Sequence, residues 1–149
     1  MKIITTNKKA FHDYEIISTL QAGIVLAGDE VKSIRNKGIS LNDSYATVYK
    51  GEITLLNCYI APYSHAYSKG DTSRRTRKLL LHRREINKLI GDISRKGLTL
   101  LPLKVYLNER GYVKIELGLA KHRKQFEKKE KLRERDIARE TAREIRSRS

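Results

Sequence analysis

Residues 103–117 read LKVYLNERGYVKIEL, and this stretch indicates the fold class more clearly than any other part of the chain. Apolar and polar residues alternate in both arms, 103–107 and 112–117, as they do in strands with one buried face. The arms are joined by Asn108-Glu109-Arg110-Gly111, in which the glycine can adopt the positive φ that tight turns require. The stretch therefore predicts a β-hairpin.

More strands precede this hairpin. Residues 44–49 and 52–60 form a second hairpin around a Lys50-Gly51 turn. Residues 14–20 and 23–26 are two further strand-like runs, separated by a short break. Together these patterns predict about six antiparallel strands.

Two helices are predicted between the strands. Residues 28–35 place Val31 and Ile34 on one side, and residues 82–96 place Ile86, Leu89, Ile90 and Ile93 on one apolar face, with Gly97 as the stop. Short antiparallel strands with interposed helices are typical of small barrels, among which the OB-fold binds nucleic acids. We predict a mainly β fold: a six-stranded antiparallel OB-like barrel with two or three flanking helices and a basic C-terminal tail.

The composition changes near Gly118, which divides the chain into a barrel over residues 1–120 and a tail over residues 121–149. The tail holds twelve Lys and Arg against six Asp and Glu. It has few apolar residues to bury, so we expect it to be disordered when free. It lacks Pro and Gly and is rich in helix formers, so we also expect it to become helical on a partner.

The charge and composition favour a nucleic acid as the partner and argue against a membrane-bound or secreted protein. Among 149 residues, 32 Lys and Arg face 17 Asp and Glu, a net charge of +15, which favours binding to nucleic-acid phosphates. A membrane surface would require a basic helix with an apolar face, and the chain has no Trp and two Phe. No apolar run reaches about 18 residues, and the N-terminus carries no secretory apolar segment. We expect a cytoplasmic protein.

No pattern of catalytic or metal-binding residues stands out. The four histidines lie in four separate segments, and the single Cys58, in an apolar run, is expected to be a core residue. The carboxylates form no metal-binding loop, and no glycine-rich phosphate loop follows a strand. We therefore predict no enzyme, no cofactor and no metal site. A nuclease using His12, His65 or His82 and a general RNA-binding or ribosomal protein remain alternatives.

Basic residues with polar or aromatic neighbours form three clusters suited to RNA. Cations would meet phosphates, and exposed tyrosines would stack on unpaired bases. One cluster lies near the N-terminus, one on the short helix, and one in residues 69–78, which begin like a flexible loop. The residues predicted from these clusters are Asn7, Lys8, Lys9, Tyr14, Lys32, Arg35, Arg75, Arg77 and Lys78.

Glu30 is an acid within a basic neighbourhood, and two interpretations are open. As an acid in the first turn of a helix it would be stabilised by the helix dipole by a few tenths of a kcal/mol. Alternatively it would accept a hydrogen bond from a base amino group or a ribose hydroxyl of RNA.

These segments, in this order, resemble the small protein B (SmpB) family of bacterial proteins that bind transfer-messenger RNA. The resemblance covers nearly the whole chain and is carried by residues 7–10, 14–16, 23–35, 59–63, 75–82, 97–103 and 113–121.

The resemblance implies an OB-like barrel that binds the tRNA-like domain of transfer-messenger RNA (SsrA RNA) and delivers it to stalled ribosomes for trans-translation. The tail would act in the small-subunit decoding centre and mRNA channel, where it would be helical. Alanyl-tRNA synthetase and elongation factor Tu would be partners through the RNA.

The resemblance also assigns residues. It implicates Glu30, Lys114 and a leucine of the run 79–81 in RNA binding, and it adds Ser33, Leu79 and Leu80 to the expected interface. The tail residues expected to bind the ribosome are Lys121, His122, Arg123, Lys124, Phe126, Lys128 and Lys129. Phe126 stands where the family often has His, and Lys129 where it has Arg, so a hydrogen bond and a planar fork are lost.

Overall fold

The computed structural model describes residues 1–62 and 72–123. This part of the chain forms nine strands and three helices. In chain order they are β1 (Lys2–Thr6), α1 (Lys8–Asp13), β2 (Tyr14–Ile24), α2 (Gly28–Arg35), β3 (Ile39–Ser40), β4 (Tyr45–Tyr49), β5 (Glu52–Leu56), β6 (Tyr59–Ile60), β7 (Arg77–Leu80), α3 (Arg83–Lys96), β8 (Thr99–Leu107) and β9 (Val113–His122).

Six antiparallel strands pair in a closed ring. The order is β8-β4-β5-β7-β2-β9, and β9 pairs again with β8. One edge of β8 is shared by β4, which meets it at Ala46 and Leu100, and by β1, which pairs from Lys104 to Leu107. The predicted mainly β, antiparallel fold with flanking helices is confirmed, and the number of strands in the ring agrees with the prediction.

The identity of the strands differs from the prediction in several places. The run 14–20 and the first two residues of the run 23–26 belong to one strand, β2, which ends at Ile24. Of residues 69–78, which were predicted to begin like a flexible loop, Arg77 and Lys78 belong to β7. The predicted strand 52–60 is divided into β5 and β6, and β1, β3 and α1 were not predicted. These elements have only two to six residues, too few to show a period. α1 depends on Asn7, whose side-chain oxygen accepts the N–H of Ala10 at 3.2 Å.

The hairpin over residues 103–117 is confirmed and is longer than predicted. β8 begins at Thr99 and contains Pro102, which is tolerated at an irregularity in the register between Pro102 and Lys104. Gly111 has φ of 80°, as the turn requires. β9 continues to His122, two residues beyond the predicted end of the barrel.

Both predicted helices are confirmed. α2 spans the predicted residues, and α3 ends at Gly97, whose φ of 62° is the left-handed conformation of a helix C-cap. In the described part of the chain no helix has the length and apolar character needed to cross a bilayer.

The main core fills the ring and the space beneath α3. The ring contributes fully buried side chains such as Ile53, Leu79 and Ile115, and α3 contributes Ile86 and Leu89. A smaller core outside the ring joins Ala10 of α1 to Leu101, Leu103 and Ala120. Cys58 is fully buried in the main core, as expected, and burial raises the pKa of its thiol to about 11.

Candidate RNA interface

A row of three residues crosses adjacent strands on the outside of the ring. Gly23 of β2 lies directly opposite Leu80 of β7 on one side and Lys114 of β9 on the other. Residues in such register share one face of a sheet. A Cβ at Gly23 would lie 3.2 Å from the Leu80 Cβ, so the glycine leaves room for this side chain. The row presents an apolar side chain, 50% exposed, close to a cation.

The alternation of β7 decides which of its residues face outward. Arg77 and Leu79 point into the protein, whereas Lys78 and Leu80 are exposed. Of the leucines expected at the interface, Leu80 is therefore accessible, and Leu79 is a core residue with no exposed surface.

Glu30 lies at the start of α2 and is only 9% exposed. Its Oε1 accepts the N–H of Ala27 at 2.9 Å and a hydrogen bond from Arg75 Nη2. Its Oε2 accepts from Nε and Nη2 of Arg77, the first at 2.7 Å. A carboxylate offers about four acceptor positions, so contacts within the chain occupy all of them.

Arg77 is the buried partner in this network, with 0% of its surface exposed. Besides Glu30, its guanidinium donates to the backbone oxygens of Cys58 at 2.8 Å and Arg75 at 3.1 Å, and to those of Thr72 and Ser73. A buried charge is tolerated when it is paired and its donors are satisfied, as here. Arg77 thereby connects α2, the residue before β6, and the segment leading into β7.

The network sets the ionisation of Glu30. Burial alone would raise the pKa of this carboxyl group. The hydrogen bonds from Arg75, the Ala27 N–H and Arg77 outweigh burial and leave the pKa of Glu30 below its ordinary value. Glu30 is therefore a carboxylate at neutral pH, which the two arginine side chains require.

Arg75 is the outer member of the network, and 34% of its side chain is exposed. Its Nη2 also donates to the Val25 oxygen at 3.3 Å, and its Nη1 donates weakly to the Thr76 oxygen at 3.4 Å. The remaining N–H groups, at Nε and Nη1, have no partner within the described residues.

Val25 connects Arg75 to the strands, because its N–H donates to the Lys78 oxygen at 3.0 Å. One continuous surface results, which we call the β2–β7 face. It consists of Val25, Arg75, Lys78, Leu80 and Lys114, and all but Val25 were predicted. Cations suit phosphates, and exposed aliphatic groups suit the flat faces of bases and riboses.

A second group of predicted residues lies at the opposite end of β2. Lys8 and Lys9 are exposed on α1, and Lys9 forms an ion pair with Asp43 at 3.0 Å. The ring of Tyr14 meets that of His122 edge to face at 4.9 Å. Gly23 lies nine positions after Tyr14 in β2, which corresponds to roughly 30 Å at ~3.3 Å per residue.

The start of the predicted tail joins this second group. Lys121 pairs with Glu15 in the β2–β9 ladder, and the Arg123 N–H donates to the Asp13 oxygen at 2.9 Å. The predicted tail residues Lys124, Phe126, Lys128 and Lys129 lie outside the described residues, as do His65 and residues 69–71.

Other predicted site residues have structural contacts or lie apart from both groups. Asn7 is buried, caps α1 and donates to the Pro102 oxygen at 3.0 Å. Ser33 is buried and donates to the Ala61 oxygen at 2.6 Å. Lys32 and Arg35 are exposed on α2. A role of these residues in RNA binding stays a prediction.

Gly23 and Val25 belong to the interface surface but were not predicted as site residues. A glycine inside a strand-like run is a signal of close approach by another group, and it could have identified Gly23. Val25 shows only a strand pattern, which gives no sign that it lies beside Arg75.

The remaining titratable groups give no sign of a metal centre. His12 Nδ1 lies 2.9 Å from the Asp13 carboxylate. Across residues 1–62 and 72–123, no three His, Cys, Asp or Glu side chains are grouped so that they could bind a metal ion.

Comparisons with known proteins identify relatives of this chain. The family model described as SmpB protein matches residues 4–147. An SsrA-binding protein of Coprothermobacter proteolyticus is 49% identical over 146 residues, covering 97% of each chain. One from Geobacillus kaustophilus is 51% identical over 147 residues, covering 99% of this chain and 94% of the relative.

A solved structure is also similar. It is described as "tmRNA-SmpB: a journey to the center of the bacterial ribosome", and its matching chain has 50% sequence identity and a TM-score of 0.67. The match covers 81% of this chain and 85% of the other.

Proposed function

The chain belongs to the SmpB protein family, and from that premise we propose that it binds SsrA RNA, the transfer-messenger RNA, and acts with it on the bacterial ribosome. The barrel binds the tRNA-like domain of this RNA and delivers it to stalled ribosomes for trans-translation.

The β2–β7 face is the observation that supports the proposal most strongly. The cations Arg75, Lys78 and Lys114 lie on the same face as the exposed Leu80, and they come from two segments of the chain, residues 75–80 and β9. Nζ of Lys78 also lies 3.7 Å from Oε2 of Glu52. An RNA ligand would find phosphate-binding groups and an apolar contact within one surface. Predicted residues from distant segments meet there, as a shared binding role requires.

The proposal assigns separate roles to the two ends of β2. The β2–β7 face binds the tRNA-like domain, whereas Lys8, Lys9, Tyr14 and the residues from Lys121 onward contact the small-subunit decoding centre and mRNA channel. Two separated groups of cations on a barrel allow two RNA surfaces to be bound at once. Alanyl-tRNA synthetase and elongation factor Tu would then be reached through the RNA, in the cytoplasm.

We further infer that the protein acts by binding and catalyses no reaction. The thiol of Cys58 is buried with a pKa of about 11, which makes it a poor nucleophile at neutral pH. His12, His82 and His122 lie on different elements: α1, the start of α3 and the end of β9.

A competition experiment tests the proposed function. The purified full chain is titrated with the tRNA-like domain of transfer-messenger RNA, with bulk tRNA and with an unrelated hairpin of matched length. Salt is held constant, because phosphate contacts make every RNA affinity salt-dependent. We expect the tRNA-like domain to displace the other two RNAs at much lower concentration.

Equal affinity for the three RNAs would contradict the proposal and would favour a general RNA-binding protein. Cleavage of labelled RNA during prolonged incubation, with or without a divalent metal, would contradict the inference that the protein is not an enzyme.

A further inference from the structure

We propose that Glu30 contributes to RNA binding by positioning Arg75, and that the N–H groups of Arg75 without a partner among the described residues bind a phosphate of the RNA. This inference rests on the proposed function and specifies how one part of the β2–β7 face acts. Glu30 is then a positioning residue that does not touch the RNA.

The contacts of Glu30 are the first reason. Arg75, Arg77 and the Ala27 N–H occupy the acceptor positions of both carboxylate oxygens. A base amino group or ribose hydroxyl could be bound only by displacing one of these donors. Displacing Arg77 from Glu30 would leave its guanidinium, which is buried away from solvent, without a counter-ion. This is strongly unfavourable.

The burial of Arg77 is the second reason. Its contacts with the backbone oxygens of Cys58 and Arg75 fix its position, and it holds Oε2 of Glu30 through two N–H groups. Glu30 is therefore locked on one side, which leaves Oε1 as a fixed acceptor for Arg75. The order of the network runs from the buried Arg77, through Glu30, to the half-exposed Arg75.

The geometry of Arg75 is the third reason. Its Nη2 is used by Glu30 and Val25, whereas Nε and one Nη1 hydrogen have no partner among the described residues. Nη2 is held by Glu30 and the Val25 oxygen, so the guanidinium has a defined orientation. Nε–H and the remaining Nη1–H point in different directions, and each can donate one charge-assisted hydrogen bond to a phosphate oxygen. Lys78 and Lys114 supply further positive charge on the same face.

The proposal predicts opposite effects on two kinds of RNA. Replacing Glu30 by Gln removes one negative charge, so purely electrostatic attraction to any RNA increases. If Glu30 positions Arg75, affinity for the tRNA-like domain falls because the Arg75 guanidinium loses its orientation. The ratio of the two affinities therefore falls even though the protein becomes more basic.

A double-mutant cycle tests the coupling. Affinities for the tRNA-like domain and for the unrelated hairpin are measured across a salt series for the full chain, Glu30→Gln, Arg75→Ala and the double variant. We expect Arg75→Ala to weaken binding of the tRNA-like domain roughly tenfold and to lower the salt slope by about one. Glu30→Gln should weaken binding similarly alone, but by less than about twofold when Arg75 is already Ala.

Asp29→Asn is the matched control, since it removes the same charge from an exposed neighbour on α2. We expect it to leave the preference for the tRNA-like domain unchanged. If Glu30→Gln weakened binding equally with and without Arg75, the effect of Glu30 would not act through Arg75 and the proposal would be wrong. Tighter binding of both RNAs by Glu30→Gln would show that Glu30 only stabilises the start of α2, and it would also contradict the proposal.

Arg75→Lys keeps the test decisive if Glu30→Gln fails to fold. Lysine preserves the charge and the ion pair but has a single nitrogen, which cannot hold Glu30 and also reach the phosphate as the guanidinium does. We expect the salt slope to be retained while affinity for the tRNA-like domain falls several-fold. Unchanged affinity would overturn the proposal. If the unmodified chain showed no preference between the two RNAs, the proposed function would fail instead, which separates the two outcomes.

Discussion

The buried ion pair between Glu30 and Arg77 should make Glu30→Gln strongly destabilising. The substitution preserves the shape of the side chain but replaces one acceptor oxygen by an NH2 group, which would face an N–H donor of an arginine or of Ala27. Arg77 has no exposed surface, so water cannot replace the lost acceptor. Removing one partner of a buried pair typically costs ~3–5 kcal/mol, against a total stability of ~5–15 kcal/mol for a domain.

Urea unfolding followed by far-UV circular dichroism measures this loss. Asp29→Asn serves again as control, because an exposed acid in the first turn of a helix contributes less than about 1 kcal/mol. We expect the unfolding midpoint of Glu30→Gln to fall by a large fraction, with that of Asp29→Asn nearly unchanged.

The pH dependence provides an independent check. The native pKa of Glu30 is lowered, so its stabilising contribution is fully present above roughly pH 4.3, the usual pKa of a glutamate. The contribution is lost as the pH falls through the lower native pKa. The difference in stability between the wild-type chain and Glu30→Gln should therefore shrink in acid. The reasoning would be refuted if Glu30→Gln lost no more unfolding free energy than Asp29→Asn and if this loss did not change with pH in the acid range.

Three other perturbations separate the roles of neighbouring residues. Leu79→Ala should cost ~2–5 kcal/mol in urea unfolding, whereas Leu80→Ala should cost little and weaken binding of the tRNA-like domain; the reverse would invalidate the assignment of faces. Gly118→Ala should lower the free energy of unfolding by ~1–3 kcal/mol, because its Cβ would lie 2.7 Å from a Leu103 carbon. Gly91→Ala, which has open space around it in α3, should raise this free energy by ~0.5–1 kcal/mol. Ending the chain at Arg123, which preserves β9, should leave affinity for the RNA nearly intact but abolish tagging in a trans-translation assay; lost affinity would contradict the separation of roles.

The sequence predicted the elements whose signals are local. The hairpin over residues 103–117 combines alternation with a turn glycine, and α2 and α3 combine apolar spacing with a glycine at or beyond the helix end. The net charge indicated the class of partner, because charge requires no knowledge of the fold. The resemblance to the SmpB family, carried by ordered segments, indicated the particular RNA.

Short elements could not be predicted in this way. β7 has four residues, two of them charged, and its character as a strand comes from pairing with β5 and β2. α1 has six residues and is stabilised by a cap and by packing of Ala10. Periodicity requires more residues than either element contains.

The sequence by itself determined that this protein is a basic, mainly β chain with one unusual acid, Glu30, among its cations. Only the tertiary structure decided which cations are exposed and which are buried. Arg75 and Arg77 are two positions apart and alike in sequence, yet one is half-exposed and the other is buried. The difference arises from Glu30, 45 and 47 residues earlier, which pairs with both arginines. Contacts between side chains so distant along the chain exist only once the ring of strands has closed, and no local pattern encodes them.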